Sequence, residues 1–167
     1  MKIYITGCPG SGKTTLAGRV SEITGDICVS LDEVQYERDP RDPGDNRRRP
    51  DAARDAMFNE IIICENWIIE DAGRECFRAG QEMADVVAAL DAAKPRLLWR
   101  VTRRWLRQRR GIERAQYRPD GKMLRLMWKW VLEYRLRDHL YRPENTVILK
   151  NQRDADAFLN GLRKKPQ

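Results

Sequence analysis

Lys2-Ile3-Tyr4-Ile5-Thr6-Gly7-Cys8-Pro9-Gly10-Ser11-Gly12-Lys13-Thr14-Thr15 is the stretch that decides the fold. From Gly7 to Thr14 it fits the phosphate-binding pattern G-x-x-x-x-G-K-[ST] at every fixed position. Residues 2–6 read as a short buried strand. Behind the loop, Leu16, Val20 and Ile23 share one face of a helical pattern, and Gly25 stands where that helix stops. At average residue frequencies a chain of this length meets the pattern by chance less than about 1% of the time. Glycines let successive N–H groups turn inward on an anion, and a helix N-terminus adds partial positive charge there. Gly7, Pro9, Gly10, Ser11, Gly12, Lys13, Thr14 and Thr15 are therefore the expected nucleotide-binding residues, with ATP as the nucleotide. Lys13 reaches toward the outer phosphates. The Thr14 hydroxyl is the expected Mg²⁺ ligand, with Thr15 the weaker candidate.

The remainder of the chain supports one α/β domain spanning residues 1–167. Continuous apolar runs at 2–6, 27–30, 67–70, 85–90 and 146–149 read as strands covered on both faces. Helical patterns occupy 52–64, 96–110, 123–141 and 155–162. The clearest has Leu124, Met127, Trp128, Val131 and Leu132 on one face. Alternating strands and helices imply a mainly parallel sheet, whose ligands lie beyond the carboxyl ends of its strands. Residues 39–51, rich in proline and charge, read as a mobile surface loop, and the tail 163–167 is expected to fray. His139 is expected to lie inside the long helix with no partner. Trp128 and Trp130 are expected at core and boundary positions. No apolar run is long enough to span a bilayer, and no secretory signal precedes the first strand. Cys8, Cys28, Cys64 and Cys76 lack zinc-ligand spacing. These features point to a cytoplasmic protein; the sequence leaves its oligomeric state open.

Acids stand just beyond two strands: Asp32 and Glu33 after the second, Glu70 and Asp71 after the third. Phosphoryl transfer needs one carboxylate to orient the attacking oxygen and another to help hold Mg²⁺. Asp32 is the candidate for the acceptor, and Glu70, with Asp71 as substitute, for the metal; either could instead cap a helix. Net charge is +7, yet residues 94–118 hold ten basic side chains and one acid, Glu113, so the rest of the chain is net −2. Arg100, Arg104, Arg107 and Arg110 are candidates for a lid that neutralises the transferred phosphate. The competing readings are a solvated face and a nucleic-acid surface, the latter not favoured.

The phosphate loop, Leu31-Asp32-Glu33, Trp67-Ile68-Ile69-Glu70, the run Ala84-Asp85-Val86-Val87-Ala88-Ala89-Leu90-Asp91 and the arginine helix together resemble the adenylate-kinase-like P-loop kinases. Within them the chain looks closest to the small bacterial DNA topology modulation proteins. Where that family continues its third strand with a Glu-Gly-Asn-Tyr type of turn, this chain has Glu70-Asp71-Ala72-Gly73. The resemblance implies a P-loop NTPase fold, with a five-stranded parallel sheet, helices on both faces and an arginine-rich helical lid at about 96–122. It also implies Mg²⁺- and ATP-dependent transfer of phosphate to a nucleotide, nucleoside or other small hydroxyl acceptor. The alternative function is a nucleotide-dependent regulatory or nucleic-acid-binding protein with weak ATPase activity.

Overall fold

A computed structural model describes residues 1–39, 41, 46–115 and 117–163. The chain opens with strand β1 (Lys2–Gly7) and helix α1 (Lys13–Thr24), which stops at Gly25 as its left-handed φ allows. There follow β2 (Cys28–Ser30), α2 (Leu31–Gln35), β3 (Tyr36–Arg38), β4 (Asn46–Arg48), α3 (Asp51–Ile62), β5 (Trp67–Asp71), α4 (Arg78–Met83) and β6 (Val86–Leu90). Helices α5 (Lys94–Arg109) and α6 (Gly121–Glu133), strand β7 (Thr146–Leu149) and helix α7 (Gln152–Arg163) complete the order. Five strands form one parallel sheet in the order β2-β5-β1-β6-β7. Strand β1 lies where the strand order reverses, which opens a crevice above its carboxyl end.

Alternation along the strands fills two cores. Ile3, Ile5, Ile68 and Ala88 face α1 and α7, meeting Leu16, Ala17, Val20 and Leu159. Tyr4, Trp67, Ile69 and Val87 face the other way, onto Leu31, Val34, Phe58, Ile62 and Phe77. A third cluster lies behind the phosphate loop, where Cys8 packs with Leu97 and Val101 of α5 and Met127 and Val131 of α6. No helix among the described residues is long and apolar enough to cross a membrane.

Several sequence expectations need correction. The helix expected over 123–141 ends at Glu133, because Tyr134 turns extended and the chain passes through a 3₁₀ turn at Leu136–His139. Long-range hydrogen bonds from Tyr134 and His139, which an unbroken helix would forfeit, accompany the turn. Within the stretch read as a loop, Asn46–Arg48 pairs antiparallel with Tyr36–Arg38, and Arg49 ties the hairpin to Glu37 at 3.1 Å. Residues 40 and 42–45, and the tail 164–167, lie outside the described residues. Helices α2 and α4 are too short to leave a readable period. Trp128 and Trp130 are 41% and 46% exposed rather than core residues. Helix α6 packs chiefly on α5, so only Met127 and Val131 of its apolar face are buried.

Candidate functional site

The phosphate loop joins the carboxyl end of β1 to the amino end of α1. Ser11 N–H donates to Cys8 O at 3.1 Å, and Leu16 N–H closes the first helical turn on Gly12 O at 3.0 Å. Gly10 takes a φ of +78°, and a Cβ there would stand 2.9 Å from Val101 Cγ2 of α5. Both the backbone and the space therefore require glycine. Lys13 Nζ donates to Gly7 O at 2.9 Å and Cys8 O at 3.2 Å, holding the ammonium across the loop. Burial pulls its pKa below the usual lysine value, against the opposing pull of Glu70, Asp32 and Asp71. Cys8 is buried, and burial pushes its thiol up to about 11, which leaves it unreactive near neutral pH. Pro9 lies half-buried in the loop, and Thr14 and Thr15, in the first turn of α1, are exposed.

Adjacent acids on β5 part to opposite faces of the sheet. Glu70 points to the α1 side, where its Oε1 accepts from Thr14 Oγ1 at 3.1 Å. Its other oxygen, Oε2, is buried with no hydrogen-bond partner among the described residues. Asp71 points to the α3 side and is fully committed. Its Oδ2 accepts from Gly73 N–H at 2.7 Å, Arg74 N–H at 2.6 Å and Tyr4 OH at 3.3 Å, while Oδ1 takes the Arg74 guanidinium. Burial and Asp71 together raise the Tyr4 phenol well above its ordinary value. Of the oxygens of these adjacent acids only Glu70 Oε2 is left unpartnered, and an orphaned buried carboxylate oxygen beside a hydroxyl fits Mg²⁺.

Arg74 is the residue that sequence reasoning missed. Its guanidinium bridges Asp71 and Asp32, joining the turn after β5 to the start of α2. The neighbouring carboxylates hold it charged above even the usual arginine value, overcoming partial burial. Asp32 is half-exposed, so a carboxylate and a guanidinium stand together at the start of α2. The turn carrying Arg74 is braced from behind. Tyr134 OH donates to Ala72 O at 3.1 Å, and His139 Nδ1 lies 2.9 Å from Gly73 O. The His139 and Tyr134 rings stack 4.4 Å apart. Gly73, at φ +85°, is approached so closely that a Cβ would stand 2.6 Å from His139 Cβ. The expectation of a partnerless histidine inside a helix is thereby corrected.

Helix α5 seats the arginines unequally. Arg100 donates from its NH1 to Ser11 O at 3.1 Å, directly on the phosphate loop. Arg104 and Arg107 lie one and two turns on, each 3.2 Å from a different oxygen of Glu113. Arg110 ends the helix, about 15 Å beyond Arg100 at 1.5 Å per residue, and the structure does not bring it to the loop.

A family model described as "AAA domain" matches residues 3–118. No curated protein matches the sequence. Among solved structures, a shikimate kinase from Bacteroides thetaiotaomicron is similar at 17% identity and TM-score 0.57, over 97% of this chain and 96% of that one. A gluconokinase from Sinorhizobium meliloti 1021 is 17% identical with TM-score 0.55, over 98% and 93%. A putative kinase from Chloroflexus aurantiacus j-10-fl is 16% identical with TM-score 0.58, over 99% and 97%. With a phosphate loop at the switch point of a five-stranded parallel sheet, shared in outline with these kinases, the chain belongs to the AAA-domain family.

Proposed function

We propose that this chain is a single-domain, Mg²⁺- and ATP-dependent kinase for a small hydroxyl-bearing acceptor. The observation that carries the reading is one juxtaposition. Lys13 and the Thr14–Glu70 pair lie on one side of the β1–β5 rim, and the Asp32–Arg74 pair lies on the other. In-line phosphoryl transfer asks for this arrangement, a cationic cradle for the donor facing a carboxylate that orients the acceptor. Gly7 to Thr14 cradle the triphosphate through backbone N–H groups, and Lys13 leaves its loop carbonyls for the outer phosphates. Thr14 and Glu70 hold Mg²⁺, which supplies charge neutralisation at the phosphate oxygens. Asp32 accepts a hydrogen bond from the acceptor hydroxyl. Arg74, presented beside it, favours acceptors that carry a phosphate or carboxylate, which keeps nucleotides in the set. Arg100 steadies the loop from α5. Arg104 and Arg107, parked on Glu113, close on the transferred group as a lid. The resemblance in sequence to DNA topology modulation proteins agrees with this reading, and four cysteines without disulfides suit a reducing cytoplasm.

The test is a screen of nucleosides, nucleoside monophosphates and small polyol or carboxylate metabolites for ADP release with Mg-ATP. Lys13→Ala is expected to lower turnover on the order of 10³-fold and to weaken ATP binding. Full activity in that variant would refute the assignment of the loop.

A further inference from the structure

Helix α5 carries a second stripe that the kinase chemistry does not use. Trp99, Arg103, Leu106 and Arg110 follow at i, i+4, i+7 and i+11 and face outward, with Trp99 59% and Leu106 40% exposed. The Arg103 guanidinium lies 5.2 Å from the centre of the Trp99 ring. On α6 the exposed Arg125, Trp128 and Leu132 form a matching stripe. Trp128 Nε1 donates to Thr102 Oγ1 at 3.0 Å, which sets the two stripes side by side and lays an indole across the seam between the helices. Neither helix holds an acid before Glu133. Of the acids in the connection between them, Glu113 is spent on Arg104 and Arg107, and Asp120 caps α6 by accepting from Met123 N–H at 2.8 Å.

We propose that this α5–α6 face binds single-stranded nucleic acid, its indoles stacking on bases and its arginines meeting phosphates. Charge complementarity selects a polyanion. A second copy of the face would set Arg103, Arg110 and Arg125, which meet no carboxylate among the described residues, against one another. An amphipathic helix asks for a groove, and Trp128 fills the seam where a groove would run. Exposed indoles interleaved with guanidinium groups suit an occupant that alternates rings and phosphates. The binding goes beyond the kinase reading and stands without it.

Fluorescence anisotropy with labelled oligo(dT) and oligo(U) tests the proposal across a salt series, with intrinsic tryptophan fluorescence followed in parallel. Association is expected at low salt, with tryptophan quenching and an affinity that falls linearly on a log–log salt plot. Trp99→Ala and Trp128→Ala are each expected to weaken binding about 5- to 150-fold, the range that loss of one stacked base implies. Arg103→Glu is expected to weaken binding and flatten the salt slope. Far-UV circular dichroism and ATP calorimetry should match the wild type in all three variants. Four results would overturn the proposal: no association at low salt, tryptophan variants that bind as the wild type does, equal affinity for duplex DNA of the same length, and preferential binding to phosphatidylglycerol vesicles.

Discussion

The phosphate loop and the Asp32–Arg74 corner of the rim draw on contacts of different range. The phosphate loop is closed mainly by its near neighbours in sequence, Ser11 on Cys8 and Lys13 on Gly7 and Cys8, with Arg100 and the Thr14–Glu70 pair as its long-range ties. The Asp32–Arg74 corner, the proposed acceptor side, is assembled across the chain. Arg74 meets Asp32 from 42 residues away, and its turn is held by Tyr134 and His139 from more than 60. Glu70 and Asp71 show the division at its sharpest. Neighbours in sequence, they are sent by the pleat to different faces, one toward Thr14 and one into a structural knot with Arg74 and Tyr4. Chemical likeness and adjacency therefore do not make the two carboxylates interchangeable.

That contrast is best broken by exchanging their roles. Glu70→Gln is expected to lower Mg²⁺-dependent turnover by about 10²- to 10³-fold while leaving the folded state within about 1 kcal/mol of the wild type. Asp71→Asn should instead lower stability by about 3 kcal/mol, because it leaves the Arg74 guanidinium and several buried donors without their carboxylate. Denaturant melts combined with a coupled ADP assay separate the two. If both variants lose activity and keep stability alike, the division of labour is wrong.

Arg74→Lys tests the proposed acceptor side. An ammonium cannot bridge two carboxylates as a planar fork does. The acceptor KM should rise about 10- to 100-fold with the ATP KM unchanged. A rise confined to the ATP KM would move Arg74 to the other side of the site.

The smallest expected effect is a proton count. Burial holds the Lys13 pKa below 10.5 in the free protein. Between that depressed value and 10.5 the unfolded chain binds more protons than the folded one, so this group makes stability rise with pH there. A bound triphosphate favours the ammonium, so nucleotide binding in that alkaline window should take up protons. Calorimetry in two buffers of different ionisation enthalpy reads the uptake directly; identical enthalpies would count against the caging of Lys13.

Strands were legible because both of their faces are covered, which leaves continuous apolar runs such as Trp67-Ile68-Ile69. The phosphate loop was legible because its chemistry needs glycines, a lysine and a hydroxyl at fixed spacing. Arg74 was not legible. It sits in an unremarkable turn, and its importance comes from two acids that approach it only after folding. The apolar period of α6 was read correctly as helical, but periodicity does not say whether a partner covers the face. Trp128 and Leu132 remain outside because nothing among the described residues buries them.

By itself, then, the order of residues determined an α/β sheet with an anion-binding loop at its first strand, since backbone conformation and short-range spacing settle both. Tertiary structure alone decided which acid pairs with Thr14, which arginine bridges Asp32 and Asp71 and which tryptophans meet solvent. Those outcomes depend on distances between segments far apart in the chain, and such distances exist only once the sheet has closed and its helices have packed.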